Sequence, residues 1–484
     1  MKRNFFSLLF LLIAAAFTLS SCSGPVGNVV CGASCNSGNA NVTLTLFDAP
    51  PANASFISFN TPITAITLTP QTGADVSIFA PTTPTSFEMT RLQSDSAPIG
   101  TFQVPSGTYT RMNFFLGSTS SVFANSSSSA IGACAANTVC NLNSGTPGAI
   151  SAIFTSPLIV AASANIGLGI EFNLNNAVTT QNGITIDFNQ PNIITVSSLP
   201  RTGQAAGTLD TIEDFTGVIT TLNGSNVTIT SGTRGTLTGA VTSSTTYTAL
   251  SSVNTTCNNQ AADVTCLGMN KTVSVDATIS TSGVVTITEV DFLDDPFTNE
   301  IEGIIYPTTT AGVYGMIVSD KVNATGNALL TPVSSGATIS VTLDSAATFA
   351  IDTRNLLVSI PIGFSSAADI FAGQEVMIHV KSASVGTVLD VVTDRLVLRY
   401  SRITGTVNTV GGNAFSVNGL PPFLGSFTGT PQVQTFAGIT TFDGFSSLSD
   451  LATGNPSVSF RALYLNPNTA ANGAPFLAAK VRKH

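Results

Sequence analysis

Tryptophan is absent from the 484-residue chain, histidine occurs only twice, and 9% of residues are charged. Each shortage closes off a class of function. With no tryptophan and six tyrosines, the chain cannot build the two aromatic girdles of an outer-membrane β-barrel, and it lacks the usual stacking surface for sugar rings. One interior histidine, His379, and a terminal His484 are too few for a histidine-ligated zinc or iron centre. A Ser-His-Asp triad would have to use His379, and no Gly-x-Ser-x-Gly elbow accompanies it. Lysine plus arginine number 17 against 26 acids, with no block able to neutralise a run of phosphates, so no nucleic-acid partner is expected. A Gly-rich phosphate loop leading into a helix is missing too.

What the chain does have is apolar and turn-forming. The apolar share is 43%, with 41 Gly, 23 Pro and 30 Phe, and polarity comes mainly from Thr, Ser and Asn. That profile fits an exported β-rich protein, and the length predicts two to four domains at ~100 to 200 residues each. Lys2 and Arg3 precede an apolar run from Phe5 to Phe17, shorter than the ~20 residues that span a bilayer as a helix. Residues 1–21 therefore read as a signal peptide. The following Leu19-Ser20-Ser21-Cys22-Ser23 resembles a bacterial lipobox, which implies a diacylglycerol on the Cys22 thiol. Ser23 in place of an Asp resembles the pattern of lipoproteins that leave the inner membrane, so a lipid-anchored outer-membrane location is expected, facing periplasm or cell surface. Two or three acyl chains hold stably, at ~0.8 kcal/mol per buried CH₂. The small polar residues up to Ala40 read as a tether, 22–40.

The other six cysteines fall as close pairs, Cys31 with Cys35, Cys134 with Cys140, and Cys257 with Cys266. Fifteen connectivities are open to them. Local pairing is favoured, because each pair brackets a short loop-like stretch in an oxidising compartment. No pair has the two-residue spacing of a thioredoxin motif.

From Asn41 the pattern has period two: Val42, Leu44 and Leu46 alternate with Thr43 and Thr45 before the turn Asp48-Ala49-Pro50-Pro51. Similar strands appear at Ile63 to Thr69, Thr101 to Val104, Tyr109 to Leu116, Ile166 to Leu174 and Ile184 to Phe188. With no convincing amphipathic helix between them, they predict an antiparallel sandwich. Leu-Thr-Leu-Phe-Asp-Ala-Pro-Pro at 44–51, Val-Pro-Ser-Gly-Thr-Tyr-Thr at 104–110 and GLGIEFNLNN at 167–176 together resemble the bacterial lipoprotein module called domain of unknown function 4382. The resemblance implies a cellular setting and a sandwich-like fold, and no chemistry. An insertion at roughly 118–150, carrying Cys134 and Cys140, departs from that module's usual spacing.

Beyond Pro200 three units can be laid over one another. They open on Phe215-Thr216-Gly217-Val218-Ile219, Ile301-Glu302-Gly303-Ile304-Ile305 and Ile403-Thr404-Gly405-Thr406-Val407, and close on strands at Val284 to Phe292, Leu389 to Leu398 and Leu477 to Val481. A unit of ~80 to 100 residues is too long for a solenoid coil and right for a small closed barrel. The units are similar to domain of unknown function 5666, which implies an OB-like barrel.

Val376, Ile378 and Val380 share one face of a predicted strand, leaving His379 with Glu375, Met377 and Lys381 on the solvent side. The one local concentration of acids, EVDFLDDPFTNEIE from Glu289 to Glu302, contains Asp291, Asp294, Asp295 and Glu300. Hard oxygens clustered in a turn would suit calcium, although the EF-hand order is missing. The competing reading is a solvated junction between repeats, which Asp210, Glu213 and Asp214 in a comparable place favour. No other cofactor and no catalytic residue is assigned.

The expected architecture is all-β: an antiparallel β-sandwich at 41–200, then three tandem small OB-like β-barrels at 201–299, 300–400 and 401–484, the last degenerate. The expected function is a non-enzymatic scaffold or binding module for a glycan, protein or envelope polymer, held to the membrane by its lipid. The alternative is a polysaccharide-acting enzyme that uses acids alone, such as Asp48 or Glu171.

Overall fold

The computed structural model describes residues 38–484 apart from 52–54, 144–147, 180–183, 250–266, 293–298, 307, 309, 311, 324–328, 331–332, 354–355, 357–362, 387, 426 and 467–473. The fold is all-β, a sandwich followed by small barrels. Among the described residues no helix is long and apolar enough to cross a membrane.

One sheet of the sandwich is built on Asn39–Asp48, flanked by Ala97–Pro105 and Asn165–Phe172, with Ile194–Ser197 outermost. The other is built on the long strand Phe56–Pro70, between Gly107–Leu116 and Ser120–Asn125, with Thr138–Asn143 and Ala149–Val160 at its edges. Asn39–Asp48 and Asn165–Phe172 run parallel, an exception in an otherwise antiparallel module. The period-two alternation puts Val42, Leu44 and Leu46 into the core with Ile66, Leu68, Met112 and Phe114. Thr43 and Thr45, on the opposite face, are also buried. That face is covered by the first barrel: Thr43 Oγ1 donates to Gly283 O and Thr45 Oγ1 to Asp210 Oδ2, both at 2.8 Å.

The first barrel closes from strands Thr208–Asn223, Asn226–Ser231, Gly235–Ala249, Thr272–Ser280 and Val285–Phe292. Their order is 1-2-3-5-4, with the third and fifth parallel, the order of an OB-type barrel. The second repeats it with Asn299–Tyr306, Val313–Asn323, Thr338–Ile351, Glu375–Val385 and Leu389–Leu398. The third has the same ring, Tyr400–Gly411, Ala414–Asn418, Gln432–Gln434, Phe476–Lys483 and Ser457–Tyr464. Its degeneracy lies in the third strand. In the first two barrels the parallel pairing shifts register midway, at Val241/Thr246 and Leu343/Thr348. In the third barrel that strand breaks into two pieces, Gln432–Gln434 and Thr441–Asp443, both parallel to the last strand.

The glycine that opens each repeat has a steric reason. A Cβ on Gly217 would lie 2.6 Å from Thr230 O, one on Gly303 would lie closer still to Ile317 O, and one on Gly405 would lie 3.1 Å from Asn418 O. In the first two barrels the second strand crosses the first too closely for any side chain there, and in the third the crossing leaves a tight fit.

Candidate binding sites at the module junction

The sandwich sends the turn Arg91–Gln93, followed by Ser94, Asp95 and Ser96, into the space where the barrels meet, and every one of these residues is buried. Each barrel reaches it. From the first, Arg234 Nη2 donates to Ser96 O at 2.5 Å, while its Nη1 donates to Asp214 O at 2.7 Å. From the second, Glu302 lies 3.1 Å and Glu375 3.6 Å from Arg91 Nη2. From the third, Arg402 pairs with Asp95 at 2.5 Å and with Glu375 at 2.6 Å. Arg461 meets Asp214 at 2.6 Å and Glu213 at 3.4 Å. Arg482 takes Asp443 at 2.6 Å and the carbonyls of Leu92 and Asp95 at 3.0 and 2.8 Å. Arg399 pairs with Asp352. The scarce charges of the chain are thus concentrated where no water screens them.

The two signs divide the carboxyl groups. Burial opposes ionisation of Asp95, but Arg402 and Arg461 prevail and hold it below the usual carboxylate range. Burial also works against Glu302, which Arg91 and Arg399 nevertheless hold down to about 2. At its hydrogen-bonded neighbour Glu375, burial outweighs Arg402 and Arg91, so this group is raised. Burial likewise lifts Asp276, with Asp214 beside it, and takes Asp320 up to about 6. Such a network sets how the modules meet more than it adds net stability, since desolvation offsets much of the Coulomb gain.

Two clefts open at the junction. One, of about 40 Å³, lies between the Asp48 turn, the second barrel at Ile304 and Gly373, and the third barrel at Ser401–Thr404 and Pro421–Leu424. Asp48 Oδ1 accepts from Leu174 N at 3.3 Å, and Oδ2 has no hydrogen-bond partner. Burial pushes this carboxyl well above its ordinary value. The other cleft, a groove of about 240 Å³, lies between the sandwich and the second barrel. It is lined by Ser58, Asn60, Ser120, Ser121, Asn141 and Ser334 with the backbone at Gly336. Its floor is preorganised: Asn60 Nδ2 donates to Ser58 Oγ at 3.0 Å, and Ser58 Oγ donates to the buried Glu88 Oε2 at 2.5 Å.

The sequence expectations meet this geometry unevenly. Cys134 and Cys140 form the disulfide expected of them. Cys22, Cys31, Cys35, Cys257 and Cys266 lie outside the described residues, as do Asp294 and Asp295. Asp291 and Glu300 are buried, with Glu300 4.0 Å from Arg395. Among the described residues no group of three or more His, Cys, Asp or Glu side chains is gathered as for a metal. The reading of these junction acids as solvated is corrected: Asp210, Asp214, Glu300 and Glu302 are all buried, Asp210 against Thr45 and Glu302 against Arg91 of the sandwich, Asp214 against Arg461 of the third barrel, and Glu300 4.0 Å from Arg395 of its own barrel. The solvent-facing strand face is corrected as well. Glu375 and Met377 are buried under the junction, His379 is half-buried with Nδ1 2.6 Å from Asp394 Oδ1, and Lys381 alone is exposed. Burial and Arg482 take the second histidine, His484, down to about 3, and its Nε2 sits 2.7 Å from Ser459 Oγ.

The arginines of the junction went unread in the sequence. Their signal was there: Arg402, Arg461 and Arg482 interrupt strands that otherwise read as core, and Arg399 sits between two such strands, an expensive placement unless a partner waits.

These observations define a class, an all-β protein of one sandwich and a series of OB-order barrels joined through a buried charged centre. Residues 39–199, the sandwich, match the family model described as Domain of unknown function (DUF4382). No curated protein matches the chain.

Proposed function

We propose that this is a lipid-anchored envelope protein that binds a neutral, hydroxyl-rich ligand such as a glycan unit, without catalysis. The observation that carries the reading is the groove of about 240 Å³ lined by serine hydroxyls and asparagine amides. Its donors and acceptors are uncharged and held in place by neighbours, the chemistry that recognises a polyol. The two clefts carry one carboxyl between them, Asp48, and a glycosidase needs two across its bond. The setting rests on the lipobox-like Cys22 and on the similarity of the barrels to domain of unknown function 5666. Intact mass of membrane-extracted protein tests the anchor: a chain starting elsewhere, or an unmodified Cys22, removes it.

Calorimetric titration with neutral oligosaccharides tests the groove. Ser334→Trp, which fills it from an exposed position, is expected to abolish binding, and retained affinity would refute the site. Sugars released during the titration, with turnover lost in Asp48→Asn or Glu171→Gln, would replace this reading with the acid-only enzyme.

A further inference from the structure

We propose that the Asp48 cavity is a second binding site, one that takes a small primary ammonium group paired to the Asp48 carboxylate. The cavity sits where the sandwich, the second barrel and the third barrel meet, and its walls include Pro50, Pro51, Phe56, Pro421 and Phe423. Asp48 itself is fully buried, and its Oδ2 has no hydrogen-bond partner, whereas most buried side-chain polar atoms find one. An unpaired buried carboxyl must take up a proton or a cation.

The protein's own cations are committed elsewhere. Arg402 lines the same cavity, but its guanidinium is engaged by Asp95, Glu375 and Tyr400 O. Arg482, the cation whose field reaches Asp48, is engaged by Asp443, Leu92 O, Asp95 O and Ser96 Oγ. A visiting positive group therefore finds a carboxyl held only through backbone N–H groups, with Oδ2 unpartnered and no cation bonded to it. Burial raises this carboxyl well above its ordinary value, as does the nearby Glu171, so a cation paired to it would relieve a cost that the empty cavity carries.

Size and wall chemistry select the visitor. About 40 Å³ admits one or two atoms the size of a water, whose share of the liquid is about 30 Å³. A sugar ring is too large. A calcium ion would need six to eight oxygens and finds one carboxyl. An ammonium head on one carbon fits, since proline and phenylalanine faces suit the carbon atom and the phenylalanine rings attract the charge. Any proton the carboxyl carries leaves to solvent as the cation enters, its O–H bond breaking, and the carboxylate accepts hydrogen bonds from the ammonium.

Isothermal titration of the mature chain with methylammonium, and with methanol as the uncharged counterpart, tests this. It should give saturable methylammonium binding and no binding of methanol, with proton release growing as pH falls, read from two buffers of different ionisation heat. Asp48→Asn should weaken methylammonium at least tenfold. Equal binding of methanol, undiminished binding by a folded Asp48→Asn, or no saturable binding at all would overturn the site. Should Asp48→Asn fail to fold, the wild-type titrations decide: equal binding of methanol, or methylammonium binding that does not saturate, overturns the proposal.

Discussion

Arg461→Met is the sharpest probe of the charged centre. Arg461 is 1% exposed and faces Asp214 at 2.6 Å, Glu213 at 3.4 Å and Asp95 at 3.9 Å. Methionine keeps most of the volume and removes the charge, so packing stays nearly constant while three acids lose a partner. Breaking a buried pair by deleting one member costs about 3 to 5 kcal/mol, a large share of the roughly 5 to 15 kcal/mol that holds a domain folded. The loss has a predictable pH dependence. In the variant the three acids keep only Arg402, Lys480 and Arg399 and are raised relative to wild type, so the deficit is small below about pH 4 and grows as pH rises, by at most about 1.4 kcal/mol per unit for each group. Urea denaturation at pH 4.5 and pH 7.5 measures both terms, and calorimetry should show the third barrel melting apart from the rest. Arg111→Met, at an exposed position, is the control. Asp214→Asn added to Arg461→Met should restore part of the loss. A loss below about 1 kcal/mol at pH 7.5, or equal to that of the control, would refute the claim that these charges lock the modules together.

Glu300 is pushed up to about 8 by burial against Arg395, so its contribution is full below its unfolded value near 4.5 and falls away as pH rises to 8. Glu300→Gln should therefore gain melting temperature relative to wild type between pH 5 and pH 8, and a pH-independent difference would contradict it. If calcium binds there, added calcium should raise the wild-type melting temperature alone. Removing the Cys134–Cys140 bridge should cost about 2 kcal/mol or less, since the closed loop is short. Asn125 still ties that loop by donating to Ser129 O, Cys134 O and Ala135 O, so hydrogen exchange should change only locally. Gly283→Ala should cost clearly more than Gly224→Ala. Both have positive φ, worth about 1 to 2 kcal/mol, but only at Gly283 would the new Cβ strike the sandwich, 2.7 Å from Thr43 Oγ1 and 2.9 Å from Ile166 O. Equal melting shifts would mean that the first barrel does not press on the sandwich in solution.

Local pattern sufficed for the strands. The alternation at Val42, Leu44 and Leu46 and the recurring glycine of Gly217, Gly303 and Gly405 carry the all-β architecture of sandwich and small barrels, because side-chain period and close strand crossing act between near neighbours. The Cys134–Cys140 bridge was legible for the same reason. What covers the second face of a strand is another matter. Thr43 and Thr45 look solvent-facing by alternation and are buried by a barrel more than 160 residues further on. The fate of the charges was equally hidden: Asp95 meets Arg402 across 307 positions, and Leu92 O meets Arg482 across 390. Whether an acid is solvated or neutralised depends on which guanidinium the folded chain brings within about 4 Å, and no local run of sequence encodes that distance. The empty partner position of Asp48 Oδ2 and the hydroxyl-lined groove have the same origin, since both exist only where two or three modules close on one another.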